Sequence, residues 1–248
     1  MGNVIRTWLR KKGKLHFTLI DPDKQHPKVA GEIAISAENA GSDAIMVGGS
    51  TFKDFRIIEE TVNVIKRKVS IPVILFPESS RSVVRGADYI FFMSLINSRS
   101  RKYLIGEQSK AIPLIERFDI KPISLAYLVI STSQEKTSVE RKVSRIDVIT
   151  EEDIEKAKNY ALAAKYFGFQ NIYLEAGSGA EKPVPNEMIS AIKKAVKMPI
   201  IVGGGIRNDK IAKEKISAGA DVIVTGTIAE KNLDILNRII KSIKLMTQ

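Results

Sequence analysis

The sequence predicts an α/β protein folded as a (β/α)8 barrel, or TIM barrel, on three observations. Eight short apolar strand candidates occur in 248 residues, which gives 248/8 = 31 residues for each strand and its following helix. The same short phrases flank these strands again and again, and helical periodicity lies between them. Eight such units in about 250 residues are the size and rhythm of this barrel. A single domain over residues 1–248 is therefore expected.

Two phrases recur along the chain. A glycine precedes an apolar strand at four places, and a proline opens an apolar strand at three. Glycine is a common left-handed helix stop, and proline is tolerated at the first position of a strand. The strand cores are continuously apolar, as in parallel sheets that are covered on both faces. The glycines are Gly41, Gly86, Gly168 and Gly219, and the prolines are Pro72, Pro122 and Pro199.

These phrases place the strands and leave room for helices between them. Apolar residues step by three and four from Phe55 to Ile65, from Ile154 to Ala164 and from Leu233 to Ile243, which predicts amphipathic helices. Thr150 and Asp153 have the spacing of a capping box at the start of the second of these helices. The eight strands are expected near residues 16–20, 44–48, 72–76, 88–92, 122–130, 171–175, 199–203 and 221–225.

Two segments depart from this rhythm. Residues 94–118 are polar and weakly periodic, so the helix after the fourth strand is uncertain. Residues 131–145 form a long polar loop after the fifth strand, and long loops in compact domains are usually functional or mobile. In a barrel this loop lies over the C-terminal face, where active sites are built. The rival architecture, an open doubly wound sheet, has fewer strands and an early glycine-rich turn, whereas the glycine-rich turns here come late.

The composition excludes several kinds of chemistry. The chain has no cysteine, so disulfides, thiolate nucleophiles and cysteine zinc sites are ruled out. It has only two histidines, His16 and His26, which nearly excludes a Ser-His-Asp triad or a multi-histidine metal site, and both are interpreted as structural. No apolar run reaches the roughly 18 residues of a membrane span, and the N-terminus lacks the apolar segment of a signal peptide. A cytoplasmic protein without stable membrane insertion is expected.

The charge balance indicates an anionic partner. The chain has 39 Lys and Arg against 28 Asp and Glu, a formal net charge of +11. Aromatic residues make up only 6% of the chain, and no basic run is interleaved with stacking residues, so nucleic acid is not expected as a partner. A phosphorylated small molecule explains the same balance.

The most informative turns follow the seventh and eighth strands. They contain Gly203-Gly204-Gly205 and Gly226-Thr227. The loops at these two places are the usual phosphate site of a (β/α)8 barrel. Glycines let the backbone approach a ligand closely and turn its N–H groups inward. We expect phosphate binding there, with any side chain added at Gly204 or Gly226 occupying the space of the ligand.

Two carboxylates follow the first and sixth strands. Asp21 is a lone acid near Gly48-Gly49-Ser50, which suits Mg²⁺, an ion that takes one or two carboxylates plus phosphate oxygens and water. Tyr173 and Glu175 lie two apart on one strand, so their side chains point to the same side. Glu175 is suited to accept hydrogen bonds from substrate hydroxyls or to act as a general base. Asp23 is expected to face solvent.

The strand-end phrases together resemble the geranylgeranylglyceryl phosphate synthases. The resemblance runs from about residue 15 to residue 230, in order and at suitable spacing. A three-glycine turn alone is common among phosphate-binding barrels, but YLEAGSG joined to an early IDPD and a GGS is far more specific. The phrases are FTLIDPD at 17–23, VGGS at 47–50, FFMSL at 91–95, YLEAGSG at 173–179, VGGGI at 202–206 and VTGT at 224–227, with Asn97 in addition.

The resemblance implies a Mg²⁺-dependent prenyltransferase on a modified TIM barrel. Such enzymes join sn-glycerol 1-phosphate to geranylgeranyl diphosphate and release diphosphate, which makes the first ether bond of archaeal membrane lipids. The family has an irregular helix after one middle strand, in keeping with residues 94–118. A homo-oligomer is also expected.

The resemblance also assigns residues by motif. By motif, Asp21 and Ser50 bind the metal, with Thr51 as the alternative hydroxyl. From the chemistry of their side chains, Asp21 and Glu175 are expected to be the catalytic residues. In this chemistry Mg²⁺ neutralises the leaving diphosphate, and Glu175 deprotonates the attacking hydroxyl. The residues expected to hold sn-glycerol 1-phosphate are Tyr173, Leu174, Glu175, Ala176, Gly177, Ser178, Gly179, Gly204, Gly205, Gly226 and Thr227. Candidates for an apolar groove that takes the prenyl tail are Phe91, Phe92, Leu95, Tyr127 and Val129.

Two alternatives stay open. One is another phosphate-binding barrel, either a heptaprenylglyceryl phosphate synthase or a sugar-phosphate isomerase. The isomerase needs an acid–base pair on strands one and five, but the fifth strand offers Ser124 and Tyr127 and no carboxylate. The other is a non-enzymatic binder of nucleic acid or of a membrane surface, which requires basic residues clustered on one face. For the N-terminal stretch from Trp8 to Lys12, a helix that closes the bottom of the barrel is favoured over contact with anionic lipid.

Overall fold

The computed structural model describes residues 2–49, 55–143 and 145–246. In this part of the chain, eight parallel strands form a closed barrel in chain order, and the eighth strand pairs with the first. All the predicted strands are present, and the largest difference is that the fourth continues to Leu95. The strands are β1 (Leu15–Ile20), β2 (Ala44–Val47), β3 (Val73–Leu75), β4 (Tyr89–Leu95), β5 (Lys121–Val129), β6 (Ile172–Glu175), β7 (Ile200–Gly203) and β8 (Val222–Thr225).

Helices cover the outside of the barrel. The four recurrent glycines that precede strands all have positive φ, as a left-handed stop requires: 102° at Gly41, 94° at Gly86, 85° at Gly168 and 118° at Gly219. The helices are α1 (Val4–Lys12), α2 (Pro27–Ala40), α3 (Arg56–Lys66), α4 (Glu107–Arg117), α5 (Ser138–Val143), α6 (Ile154–Tyr166), α7 (Asn186–Ala195), α8 (Asp209–Ala218), α9 (Thr227–Lys231) and α10 (Leu233–Leu245). Within the described residues, none of them is long and apolar enough to cross a membrane.

The core has an inner and an outer layer. Alternate strand residues such as Phe17, Ile74 and Phe91 fill the barrel, and the others pack beneath the helices. Helix α1 closes the N-terminal end, as predicted, because the ring of Trp8 packs edge-on against Phe17 and Tyr89 at centroid distances of 6.0 and 5.4 Å.

Both histidines have structural contacts, as expected. His16 is fully buried in the outer layer, where Nδ1 lies 3.1 Å from Ser42 Oγ and Nε2 lies 2.9 Å from Thr225 Oγ1. Burial, with a smaller contribution from the charge of Lys244, lowers the pKa of His16 to about 3, so the ring is neutral. His26 precedes α2, and its Nδ1 accepts the N–H of Lys28.

The barrel is irregular around β4. A single 3₁₀ turn, Ser80–Ser82, stands between β3 and β4 in place of an α-helix. After β4, a π-helical turn over Lys102–Gly106 continues into α4, which contains Pro113. The weak periodicity of residues 94–118 therefore corresponds to a real irregularity, because a π turn and an internal proline both break the 3.6-residue repeat. On the outer face of β4, Ile90 is buried, whereas Phe92 and Ser94 are only half-buried.

The segment after β5 is more ordered than a polar loop. It contains the short helix α5 and is tied back by an isolated bridge between Ser131 and Thr150. The capping prediction was right about the contact and wrong about the helix start. The carboxylate of Asp153 accepts the N–H and the hydroxyl of Thr150 at 2.8 and 2.9 Å, but α6 begins later, at Ile154. The Thr150 hydroxyl donates to the carboxylate here, whereas starting a helix requires it to accept an N–H.

Candidate active site

A cavity of about 620 Å³ opens at the C-terminal ends of the strands. Its volume lies within the range of small-molecule sites. It has two chemically different halves. The polar end is lined by residues that end or follow β1, β2, β6, β7 and β8, namely Asp21, Gly49, Glu175, Gly177, Ser178, Gly179, Gly204, Gly205, Gly226 and Thr227. The apolar end is lined by Val83, Ile90, Phe92, Ala111 and Ile115, which come from β4, α4 and the segment between β3 and β4.

Three loops meet at the polar end. Ser178 Oγ, after β6, lies 3.4 Å from Thr227 Oγ1, after β8. The guanidinium of Arg207, after β7, donates to the carbonyl oxygen of Ala180 at 2.8 Å. The structure therefore brings together the glycine turns that the sequence predicted to cooperate, and it adds Arg207 as a cation that lines the same cavity.

Gly204 excludes a side chain for a different reason from the one expected. Its φ is 85°, and a Cβ there would lie 2.7 Å from Gly177 N, 2.8 Å from Gly177 O and 2.9 Å from Glu175 Oε1. The space is therefore filled by the β6 turn and not by a ligand. Gly205 is similar, since its Cβ would lie 2.6 Å from Pro183 N. At Gly226 the backbone is unstrained, and an added Cβ would face Leu19, which itself lines the cavity.

Glu175 ends β6 and is buried beside the turn that follows. Its Oε1 accepts the N–H of Gly177 at 2.6 Å. Burial raises the pKa of Glu175, and this effect is partly offset by hydrogen bonding from Gly177 N–H and from the hydroxyls of Tyr173 and Tyr127, which stabilise the charged form. A buried carboxylate that faces a cavity, with a raised pKa and donors arranged around it, is typical of a functional group.

Two tyrosines hold this carboxylate in place. Tyr127 and Tyr173 pair across β5 and β6, with ring centroids 5.3 Å apart, and Phe76 stacks on Tyr173 at 5.7 Å. Burial and the charge of Glu175 raise the pKa of both hydroxyls well above 10.0, so they remain donors. Gly203 makes room for the Tyr173 hydroxyl, since a Cβ there would lie 2.1 Å from it.

Two residues of the YLEAGSG phrase face away from the cavity. Leu174 and Ala176 are fully buried in the outer layer, beneath the helices, because strand residues alternate between the two faces. Their side chains do not line the cavity, and they contribute only the backbone that carries Tyr173, Glu175 and Gly177. Among the tail candidates, Phe91, Phe92, Leu95 and Tyr127 line the cavity, whereas Val129 does not.

Asp21 lies at the other side of the polar end. Its carboxylate rests on Gly49, where a Cβ would come within 2.4 Å of Oδ1. Burial raises the pKa of Asp21, the N–H of Asp23 partly offsets this, and the charge of Glu78 adds to it. Burial and the charge of Asp21 in turn raise the pKa of Glu230. Glu78 forms an ion pair with Lys142, and the charge of Lys24 lowers the pKa of Asp21, so acids and cations are mixed in this corner of the cavity.

Asp21 is the candidate metal ligand among the described residues. In residues 2–49, 55–143 and 145–246, no three His, Cys, Asp or Glu side chains are grouped so that they could hold one. Ser50 and its alternative Thr51 lie outside this described part of the chain. One carboxylate, with phosphate oxygens and water completing the shell, is nevertheless a usual environment for Mg²⁺, and Asp21 fits that role.

The fold and the two-part cavity define a barrel enzyme that can accommodate a polar and an apolar ligand side by side. Residues 6–246 match the PcrB family. The chain is 46% identical to the geranylgeranylglyceryl phosphate synthase of Thermoplasma volcanium, over 94% of this chain and 92% of that protein. It is 48% identical to the Methanosarcina barkeri synthase, over 92% of each.

The solved structures agree with the sequence relatives. One of them is the crystal structure of (S)-3-O-geranylgeranylglyceryl phosphate synthase from Thermoplasma acidophilum in complex with its substrate sn-glycerol-1-phosphate. It superposes on this chain with a TM-score of 0.91 at 44% identity, and the match covers 99% of this chain and 100% of that one. The chain therefore belongs to the PcrB family, among the geranylgeranylglyceryl phosphate synthases, and is an enzyme of the prenyltransferase class.

Proposed function

We propose that this enzyme transfers the geranylgeranyl group of geranylgeranyl diphosphate to sn-glycerol 1-phosphate with the help of Mg²⁺. The observation that carries this proposal is the continuity of one cavity from a polar end to an apolar end. A small phosphorylated alcohol suits the polar end, and a long hydrocarbon chain suits the apolar end. The T. acidophilum relative binds sn-glycerol-1-phosphate, which supports the same substrate here.

The polar end is the proposed site of sn-glycerol 1-phosphate. The turns at Gly177–Gly179, Gly204–Gly205 and Gly226–Thr227 line it, and Arg207 adds a positive charge. Backbone N–H groups and a guanidinium are the usual ligands of a phosphate in such a site. Tyr173 and Glu175 lie beside these turns, at a position suited to bind the glycerol hydroxyls. Leu174 and Ala176 take part only through their backbone.

Glu175 is the proposed general base. A glycerol oxygen forms the new bond to C1 of the prenyl group, the bond from C1 to the diphosphate oxygen breaks, and the hydroxyl proton passes to Glu175. A base works best when its pKa is close to the operating pH, so the raised pKa of Glu175 favours this role. The Gly177 N–H and the two tyrosine hydroxyls fix the carboxylate while the proton moves.

Asp21 is the proposed metal ligand, together with Ser50 as the resemblance implies. When bound, Mg²⁺ supplies positive charge to the departing diphosphate. Lys24 also lines the cavity and adds positive charge on the same side, where Lys142 forms an ion pair with Glu78. The diphosphate would thus lie between the polar and the apolar end, where C1 faces the glycerol site and the tail enters the apolar end.

The direct test is an assay with labelled sn-glycerol 1-phosphate and prenyl diphosphates of several lengths. We expect an ether-linked product, preference for the twenty-carbon donor, loss of activity on adding a chelator and recovery with Mg²⁺. Preference for a heptaprenyl donor would instead support the heptaprenylglyceryl phosphate synthase. The isomerase alternative is disfavoured because Ser124, at the start of β5, accepts the N–H of Gln170 and does not line the cavity.

The Asp21→Asn variant tests the metal role separately. Loss of one charged ligand should raise the Mg²⁺ concentration for half-maximal rate by at least about tenfold, as for other disturbed metal sites. The dissociation constant for sn-glycerol 1-phosphate, measured without metal, should change little. The matched control is Asp23→Asn, in the same turn but outside the cavity lining. Full Mg²⁺-dependent activity of Asp21→Asn would contradict the assignment.

A further inference from the structure

The segment after β5 carries a buried carboxylate that the proposed reaction does not use. Glu140, in α5, is only 8% exposed. Its Oε2 accepts the N–H and the hydroxyl of Thr137 at 2.8 and 2.7 Å, and its Oε1 accepts the hydroxyl of Ser131. The buried side chain of Glu140 thus joins Ser131, at the start of the segment 131–140, to Thr137, near its end.

The residue that Glu140 fixes lies directly on the turn that follows β6. A Cβ on Gly177 would lie 2.4 Å from Cγ2, 2.5 Å from Cβ and 2.7 Å from Oγ1 of Thr137. The Thr137 side chain therefore covers the Cα of Gly177. On its other side, the N–H of Gly177 donates to Glu175 Oε1 at 2.6 Å. Three consecutive contacts join Glu140 to the proposed base.

Two further contacts attach the same segment to the loop after β6. Thr132 Oγ1 donates to the carbonyl oxygen of Lys182 at 2.6 Å, and the N–H of Glu181 donates to Ser133 Oγ at 3.0 Å. Lys182 also lies against Gly205, since a Cβ at Gly205 would come within 2.8 Å of its carbonyl carbon. The segment 131–140 therefore supports the turns after β6 and β7 from outside.

We propose that Glu140 is a positioning residue for the sn-glycerol 1-phosphate site. It holds Thr137 on Gly177, and this contact keeps the β6 turn in the geometry that presents its N–H groups to the substrate and to Glu175. The inference rests on the proposed function, which places sn-glycerol 1-phosphate at this turn. Glu140 itself does not line the cavity, so it acts through Thr137.

The contacts of Glu140 define a conservative and a disruptive variant. In Glu140→Gln, the amide oxygen can accept both Thr137 donors, and the NH₂ can donate to Ser131 Oγ, because a hydroxyl accepts as well as donates. In Glu140→Ala, all three donors lose their acceptor. Glu135 is exposed in the same segment, so Glu135→Ala removes a carboxylate there without touching these contacts.

The experiment combines hydrogen exchange of the free enzyme with steady-state kinetics for both substrates. For Glu140→Ala we expect faster exchange in peptides 131–143 and 176–183. We also expect a KM for sn-glycerol 1-phosphate raised about tenfold, the size of effect that unsatisfied buried donors produce. The KM for the prenyl diphosphate should rise less, although α5 also lines the cavity through Lys142, because the contacts of Glu140 lead to the β6 turn. Glu140→Gln and Glu135→Ala should resemble the wild type in every measurement.

Several results would overturn the inference. An unchanged KM for sn-glycerol 1-phosphate in folded Glu140→Ala would do so, as would an equal rise in both KM values, which indicates general destabilisation. If Glu140→Ala does not fold, Thr137→Ala removes the contact with Gly177 and is judged by the same outcomes. A wild-type enzyme without prenyl transfer would refute the proposed function. The positioning role of Glu140 would then be tested by hydrogen exchange of peptide 176–183 in Glu140→Ala. Unchanged exchange in that peptide would refute this role as well.

Discussion

The two ends of the cavity are constructed differently. At the polar end, the loops after β6 and β7 are packed so closely that a single added methyl group does not fit at Gly204 or Gly205. At the apolar end, one wall is α4, a helix that is preceded by a π turn and contains Pro113. Gln108 lines this end, and its buried Oε1 has no hydrogen-bond partner among the residues that the structure describes.

The contrast reflects two kinds of recognition. Hydrogen bonds to a small charged substrate are directional, so the atoms that make them must be fixed within a few tenths of an ångström. Burial of a hydrocarbon tail is non-directional and depends mainly on the apolar area removed from water. An irregular wall is therefore tolerated at the apolar end and not at the polar end. Substitutions at one end should therefore leave the binding of the substrate at the other end unaffected.

The largest expected effect is that of Glu175→Gln. The amide keeps the shape and one acceptor but cannot take a proton, and loss of a positioned general base typically costs about 10²- to 10⁴-fold in rate. The dissociation constant for sn-glycerol 1-phosphate should change much less, and the KM for the prenyl diphosphate should not change. Rates and calorimetric affinities, measured separately, check this. A wild-type kcat would reject the base role, and a loss of affinity alone would make Glu175 a recognition residue.

The pH dependence of the rate is a second test of the role of Glu175. Because burial raises the pKa of Glu175 above 4.5, the wild-type rate should decline on the acid side at a pH above that value, as the base becomes protonated. Tyr127→Phe removes a hydroxyl that lowers this pKa, so the acid limb of kcat/KM should move to higher pH. Phe91→Leu, a change elsewhere in the barrel interior, should leave the limb in place. An unshifted limb in Tyr127→Phe would show that this hydroxyl does not act on Glu175.

The strand framework and the polar end could be predicted from the sequence because their signals are local. Gly41 and Gly219 stop helices, Pro199 opens a strand, and the glycine turns after β7 and β8 are visible as short phrases. The alternation of side chains along a strand is also a local signal, and it predicts that Leu174 and Ala176 point away from the cavity. The homo-oligomer and the cytoplasmic location remain predictions.

The rest depends on contacts between distant residues. Thr137 matters because it lies on Gly177, forty positions away, and no pattern near either residue shows this. Gly204 was expected to make room for a ligand, but it makes room for the β6 turn, a distinction that only the packing of two loops can make. The 3₁₀ turn in place of a helix before β4 likewise left no signal in the hydrophobic periodicity.

An intermediate effect is expected at Gly226. Its backbone accepts other residues, and the Cβ of a larger residue would lie 3.3 Å from Leu19 Cδ2, at the cavity wall. Gly226→Val should therefore lower the affinity for sn-glycerol 1-phosphate by at least tenfold, about 1.4 kcal/mol, in calorimetry. Gly204 is unsuitable for this test because a substitution at φ 85° would disturb the turn itself. If the variant keeps the wild-type melting temperature and the wild-type affinity, the phosphate does not bind at Gly226.

The smallest effect is expected at the apolar end, from Ala111→Phe. Ala111 lies on the inner face of α4 and is only 6% exposed, so a phenyl ring there takes up room otherwise available to the tail. Each methylene kept out of apolar surroundings costs about 0.8 kcal/mol, or roughly fourfold in affinity. The KM for geranylgeranyl diphosphate should rise by that factor or somewhat more, and a shorter donor should be affected less. The affinity for sn-glycerol 1-phosphate should not change.

The neighbouring residue supplies the control for this last prediction. Ile112 is 42% exposed and does not line the cavity, so Ile112→Phe adds a ring to the same helix without filling the apolar end. Kinetics of both variants with donors of two lengths separate tail exclusion from general strain in α4. If Ala111→Phe weakens both donors equally, or weakens sn-glycerol 1-phosphate as well, the tail does not end beside Ala111. The two ends of the cavity would then not recognise their substrates independently.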